Sequence, residues 1–483
     1  MTIHCLKDDC TDNVTCPCPC EECFFAREQA GSLIRTMLKH NYLRHHPRLR
    51  GVRQVQPTPA PGAEPGTVAV RASFPAGSLS PAQILTAYGF KQNQYAGAAP
   101  VKLGIGSLGG GVVQADIDNS VAAWGMKAPN LTVRTVGGAK NDPSDQDANV
   151  ENMLDLVPTM AFTWWWLTGT AADITISFGP NASGGMELVT RDLVAAGCEV
   201  CSWSWGSAAA SWDPSERASL TKAFADAVAA GVCFCAASGD NSIDDGTQAP
   251  SADYPCSDPN VWAVGGTRVI IDSSGARTDE EAWGDGNPGD EGGGGGYDPT
   301  VPIPSWQKGV VPSNATGRGV PDTAANADPN SGWQMSANGS WTVVGGTSAS
   351  SPFTAALIAV AKGVAKAAGS GVTALAAYFA AATACNDIIN GSDGSPATPG
   401  WDPATGLGSP NGAGFINAVV AWATGAAATP PPPVPPGAPG TVPTLAQALA
   451  WAAQGIQAGD PLQRQSDAIA AATAGLTAGW PKS

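Results

Sequence analysis

Through the middle of the chain, short apolar runs alternate with stretches whose apolar residues recur every three to four positions. KLGIGSL (102–108), LTVRTV (131–136), DITISF (173–178), EVCSWSW (199–205), GVCFCAAS (231–238) and VWAVGG (261–266) read as short buried strands. Between them Gln114–Trp124, Asn149–Val157, Met186–Ala196 and Pro214–Ala230 read as helices. Strand and helix in alternation predict an α/β fold with a mainly parallel sheet covered on both faces. The functional site is then expected at the carboxyl ends of the strands.

The periodic region runs from about Ser80 to Thr424, and what flanks it differs in composition. Residues 1–54 form a Cys-rich and basic N-terminal arm, and 55–79 a Pro-rich linker around VQPTPAPGAEPGT. The catalytic-type domain is assigned to 80–425. TPPPPVPPGAPGTVP marks a second Pro-rich linker, 426–443, before a short helical tail, 444–483. Within the arm, Cys5, Cys10, Cys16, Cys18, Cys20 and Cys23 are crowded into CPCPCEEC and its approach. Four of them can hold a Zn2+ ion, with Cys20 and Cys23 as a CxxC half; three disulfides along the arm satisfy the spacing equally. The basic stretch 24–53 suits a solvated helix or a docking partner of acidic character.

Charge narrows the function. Acids outnumber bases 41 to 25, for a net charge of -16, which argues against nucleic acid as a partner. No apolar run reaches the length of a membrane span, and MTIHCLKDDC carries no apolar signal-peptide core. The four histidines are His4, His40, His45 and His46, so none lies in the periodic region. A Ser-His-Asp triad or His-ligated zinc in that region is excluded unless the arm reaches in. Acid–base chemistry there falls to carboxylates, Lys, Tyr or Cys.

The sharpest local signal is WTVVGGTSASSPFTAALIAVAKGVAKAAG (341–369), a β-rich run, two glycines, then an Ala-rich helix with Pro352 in its first turn. Ser348 is placed in the strand-to-helix turn, its hydroxyl projecting beside backbone N–H groups that can stabilise an oxyanion. A Gly-Thr-Ser turn alone is more often an ordinary cap. In NVENMLDLVP (149–158), Glu151 and Asp155 stand four apart on one helix face. Two carboxylates so close share a proton, which lets Glu151 take the Ser348 proton while Asp155 orients it. Standing alone, such a pair is usually a solvated face. Asp240, in CFCAASGDNS (233–242), follows a strand through a Ser-Gly turn. It is either a turn residue satisfying its own backbone or a neutral acid donating to an oxyanion, a role that requires low pH.

Taken together, ExxxD, SWSWG (202–206), ASGD (237–240), RGVPDTAANADP (318–329) and GGTSASSP (345–352) resemble the sedolisin family of serine-carboxyl peptidases. SPAQILTAYGF (80–90) is similar to the start of that family's catalytic domain, and NDI (386–388) with GWDPATGLGSP (400–410) to its closing calcium segment. The resemblance implies a subtilisin-like three-layer sandwich and an endopeptidase working at acidic pH. It assigns Ser348 as nucleophile, Glu151 as general base, Asp155 as its supporting acid and Asp240 as oxyanion donor. Trp205 and Gly206 would hold substrate backbone. One structural Ca2+ would be bound by Asp387 and Asp402, with main-chain oxygens of Ile388, Thr398 and Gly400.

The resemblance further implies protein or peptide substrates and an extracellular setting. The arm does not resemble the family's folded propeptide, which leaves a catalytically idle binding or structural component of a larger assembly as the competing reading. Cys198, Cys201, Cys233, Cys235, Cys256 and Cys385, in or near buried strands and loops, are expected to be buried free thiols. EGGGGGY (291–297) reads as a flexible loop that can border the cleft, and WWWL (164–167) as core or cleft wall.

Overall fold

In the computed structural model, the described residues are 53–54, 74, 77–245, 250–286, 291–368 and 384–424. The arm cysteines, most of the two linkers and the tail 444–483 lie outside them. Eight strands build the central sheet: β1 Lys102–Ser107, β2 Asn130–Thr135, β3 Asp173–Phe178, β4 Val200–Trp203, β5 Cys233–Ala237, β6 Val261–Ile271, β7 Arg277–Ala282 and β8 Thr323–Asn326. Their order is β7-β6-β5-β4-β1-β3-β2, with β8 also paired to β6. Only β7 runs antiparallel to its neighbour.

Alternation along these strands feeds two separate cores. Leu103, Ile105, Val200, Cys233 and Cys235 face one side, and Cys201, Trp203, Phe234 and Ala236 the other. Gly104 and Gly106 of β1 make room for that second set. A Cβ on Gly104 would stand 2.6 Å from Cys201 Sγ, and one on Gly106 2.7 Å from the Trp203 ring. Helices α1 Pro81–Ala87, α2 Gln114–Trp124, α3 Gln146–Leu154 and α4 Phe162–Thr168 contribute to the first core. Helices α5 Gly185–Ala195 and α6 Pro214–Ala229 fill the second. Helices α7 Thr347–Ala367 and α8 Gly412–Ala423 pack together, and α7 lies against β4, β5 and β6. The result is the expected three-layer, subtilisin-like α/β fold.

Several expectations are corrected. β2 is not a buried strand: it is the sheet edge, five of its six residues are exposed, and Arg134 there pairs with Asp192 of α5 at 2.6 Å. The helix expected to stop at Val157 continues as a π-helix, Asp155–Ala161, and then as α4. Pro158 lacks the N–H that would bond the Leu154 carbonyl, and Thr159 Oγ1 takes up that oxygen at 3.3 Å. Trp164 and Leu167 are core residues. Pro352 is not in the first turn of α7, which begins at Thr347. Leu79, assigned to the linker, is already buried and bridges Trp333.

EGGGGGY is not a free loop. A Cβ on Gly294 would lie 2.0 Å from the Ser238 carbonyl oxygen, and one on Gly295 1.8 Å from that of Pro403. Gly294 and Gly295 are therefore a packing requirement, because the backbone is wedged between two others, while Gly296 is required by its φ of +119°. β9 Trp333–Ala337 and β10 Ser340–Val344 form a hairpin that delivers the chain to α7. Among the described residues no helix is long and apolar enough to cross a membrane.

Candidate active site

Three elements meet at the carboxyl ends of β4 and β5. Gly346 carries φ of +127°, and a Cβ there would stand 2.7 Å from Asp240 Oδ2, so glycine alone permits the approach. The chain then enters α7 with Thr347 and Ser348 as its first two residues, both buried. Asp240 follows β5, and its Oδ1 accepts the Thr347 N–H at 2.7 Å and the Thr347 hydroxyl at 2.8 Å. The Asp240 carboxyl is pushed up to about 6, chiefly by burial, against these two hydrogen bonds.

Glu151 and Asp155 reach the same point from the end of α3. The Asp155 N–H donates to the Glu151 carbonyl, so one helical turn stacks the two side chains. Both are fully buried. Neither oxygen of Glu151 completes a well-aligned hydrogen bond. Burial raises its pKa well above the usual range, Asp155 raises it further, and the Ser348 hydroxyl pulls it down. Burial likewise raises Asp155, opposed by Ser204. With no cation beside them among the described residues, two buried acids hold a proton between them rather than two charges.

All four residues expected to carry chemistry thus converge. Gly206 joins them, lining the pocket with Ser204, Gly239, Asp240, Thr347 and Ser348. Trp205 is 3% exposed and packs in the second core, its indole close to Gly109. The sequence reading missed three contributors. Ser204, inside the quoted SWSWG, donates to Asp155 Oδ1 at 2.7 Å. Asp245 and Asp253 also line the pocket, and burial followed by Asp245 raises Asp253. SIDDG (242–246), one residue beyond Asp240, was the available signal for Asp245.

The expected calcium ligands lie in the loop after Asn386, apart from this pocket. Asp387 Oδ2 accepts the Gly400 N–H at 3.0 Å and Asp402 Oδ2 the Thr398 N–H at 2.8 Å, so both carboxyls close on residues 398–400. Burial raises Asp402 to about 6, against the hydrogen bonds from Thr398, Ala404 and Thr405. Among the described residues no three His, Cys, Asp or Glu side chains cluster for a metal. A cation here would rest on two carboxyls and main-chain oxygens, a hard donor set that fits calcium. Cys198, Cys201, Cys233, Cys235 and Cys256 are buried free thiols and Cys385 is half-buried.

The chain is similar in sequence and fold to known proteins. A profile described as Peptidase_S8, the subtilase family, matches residues 136–408. Kumamolisin from Bacillus sp. (strain MN-32) is 36% identical over 334 residues, covering 65% of this chain and 59% of that protein. Sedolisin from Pseudomonas sp. (strain 101) is 29% identical over 411 residues, covering 79% of this chain and 66% of that protein. The chain therefore spans 59% to 66% of the length of these two curated relatives. The solved structure of Pseudomonas sedolisin, a serine-carboxyl proteinase complexed with two molecules of pseudo-iodotyrostatin, matches with a TM-score of 0.63 and 26% identity. It covers 72% of this chain and 99% of that one. With the fold, the matched profile and these likenesses in agreement, the chain belongs to the subtilase family, in its sedolisin branch.

Proposed function

We propose that the protein is a serine-carboxyl endopeptidase that hydrolyses proteins or peptides at acidic pH. The observation that carries this reading is the placement of the Ser348 hydroxyl against Glu151 while Asp240 is bound to the adjoining Thr347. Glu151 takes the proton as Ser348 Oγ attacks the peptide carbonyl, and Asp155 balances the charge. Oδ1 of Asp240 is occupied as an acceptor, so the proton of the neutral acid sits on Oδ2. From there it donates to the oxyanion of the tetrahedral intermediate. Collapse expels the amine, which takes the proton held by Glu151, and leaves a Ser348 ester for water to cleave.

One calcium ion held by the carboxyls of Asp387 and Asp402 and the main-chain oxygens of Ile388, Thr398 and Gly400 would pin the closing loop. Its contribution is structural. The deciding experiment is hydrolysis of an unfolded protein from pH 3 to 7, wild type beside Ser348→Ala. Acid activity that disappears in the variant supports the reading. Activity that survives moves the chemistry elsewhere, and a folded but inactive wild type favours a binding role.

A further inference from the structure

Ser204 stands where the two catalytic elements touch. Its Oγ is 2.7 Å from Asp155 Oδ1 and 3.3 Å from the Ser348 carbonyl oxygen. That carbonyl is available for a physical reason: Pro352, four residues on in α7, has no N–H to bond it. A side chain on the end of β4 therefore takes the place of the missing helix donor and binds the general-base pair as well. Asp155 Oδ2, buried and without a hydrogen-bond partner, is the oxygen left over.

We propose that Ser204 is a positioning residue that joins Asp155 to the main chain of Ser348 and, by occupying Oδ1, reserves Oδ2 for Glu151. This rests on the serine-carboxyl reading for its consequence in turnover, but the geometry holds without it. A hydroxyl has one proton, so the two contacts are the arms of a three-centre bond, the short one to Asp155 and the long one to the Ser348 carbonyl. That donation favours the charged form of the carboxyl pair and sets the pH below which the pair is fully protonated and cannot act as base. The charged groups bearing on the pair are the two carboxyls themselves and, at Glu151, Asp240.

Two readouts test it. In turnover, Ser204→Ala should lower kcat about 10-fold, leave KM within about twofold, and move the acid limb of kcat up by about one pH unit. Ser204→Thr, which keeps the hydroxyl, should return the limb to its wild-type position. A uniform loss of kcat with no movement of the limb, or a rise confined to KM, would overturn the proposal.

The second readout needs no activity. Carbon-13 NMR of carboxyl-labelled Asp and Glu, recorded in the Ser348→Ala background, should show the Asp155–Glu151 pair titrating higher once Ser204→Ala is added. An unchanged titration overturns the proposal whether or not the protein is a peptidase. Ser348-independent hydrolysis would instead overturn the serine-carboxyl reading while leaving the titration result standing. Should Ser204→Ala fail to fold, Ser204→Cys supplies the same comparison, being of similar size and a weaker donor.

Discussion

Asp240 and Thr347 are bound twice over, through the N–H and the hydroxyl of Thr347, and both bonds end on one oxygen of Asp240. The other oxygen is thereby assigned to the pocket. An amide can copy this arrangement, its oxygen accepting from Thr347 and its NH2 donating inward. Asp240→Asn is thus expected to retain part of the activity and to lose the fall that wild type shows as pH rises through about 6. Asp240→Ala should cost about 10²–10³ in kcat. The check is kcat against pH for the three proteins; a wild-type optimum at neutral pH would remove the oxyanion role from Asp240.

Stability should follow pH in the same sense. Asp240, with an ordinary value of 3.8, loses its proton near 6 in the folded protein. Between those values the folded state binds more protons than the unfolded one, so stability is greatest below about 4 and declines as pH rises to 6. The span corresponds to about 3 kcal/mol at most. Glu151 and Asp155 are raised by burial and act in the same direction. Asp192, lowered by Arg134, acts oppositely and sets the loss in stronger acid. Melting temperatures from pH 3 to 7 should peak near 4, and Asp240→Asn should flatten the decline above it.

Calcium removal is the third test. If the 387–402 loop holds the ion, chelation should lower the melting temperature in wild type and leave Asp387→Ala and Asp402→Ala, already destabilised, unmoved. An equal effect on all three proteins would place the ion elsewhere.

The glycine run offers a test free of chemistry. Gly294→Ala and Gly295→Ala each drive a Cβ to within 2.0 Å of a carbonyl oxygen, and neither neighbour is a movable side chain. Each should cost more than about 4 kcal/mol, enough to prevent accumulation of folded protein. Gly97→Ala, with nothing within 4 Å of its Cβ, should stay within about 0.5 kcal/mol. Soluble yield and thermal melts of the three variants decide the matter.

Part of the site is legible in the sequence. The carboxylates and the serine stand out only as a set, in a region that lacks histidine and whose motifs together resemble one family; each alone reads as a cap, a solvated face or a turn. What stayed hidden depends on non-local partners. Pro158 looks like a stop, and it takes Thr159 together with a buried position to turn it into a π-turn. The glycine run looks mobile until the carbonyls of Ser238 and Pro403 press on Gly294 and Gly295. LTVRTV has the composition of a buried strand, but its place at the sheet edge is a matter of topology. Ser204 was quoted within a motif, yet its role depends on a carbonyl that a proline frees far along the chain.

Helix α7 has every residue from Thr347 to Gly363 buried. Such a helix has no outer face, so the usual routes to a hardier variant, better surface charge or stronger i,i+4 pairs, find no positions there. What can be exchanged is volume, for instance among Leu357, Ile358 and Val360, and each exchange transmits to the turn that presents Ser348. Selection for heat tolerance and selection for turnover would draw on the same few positions. An engineer would do better to begin at the exposed edge strand β2, where a change is felt by solvent before it is felt by the nucleophile.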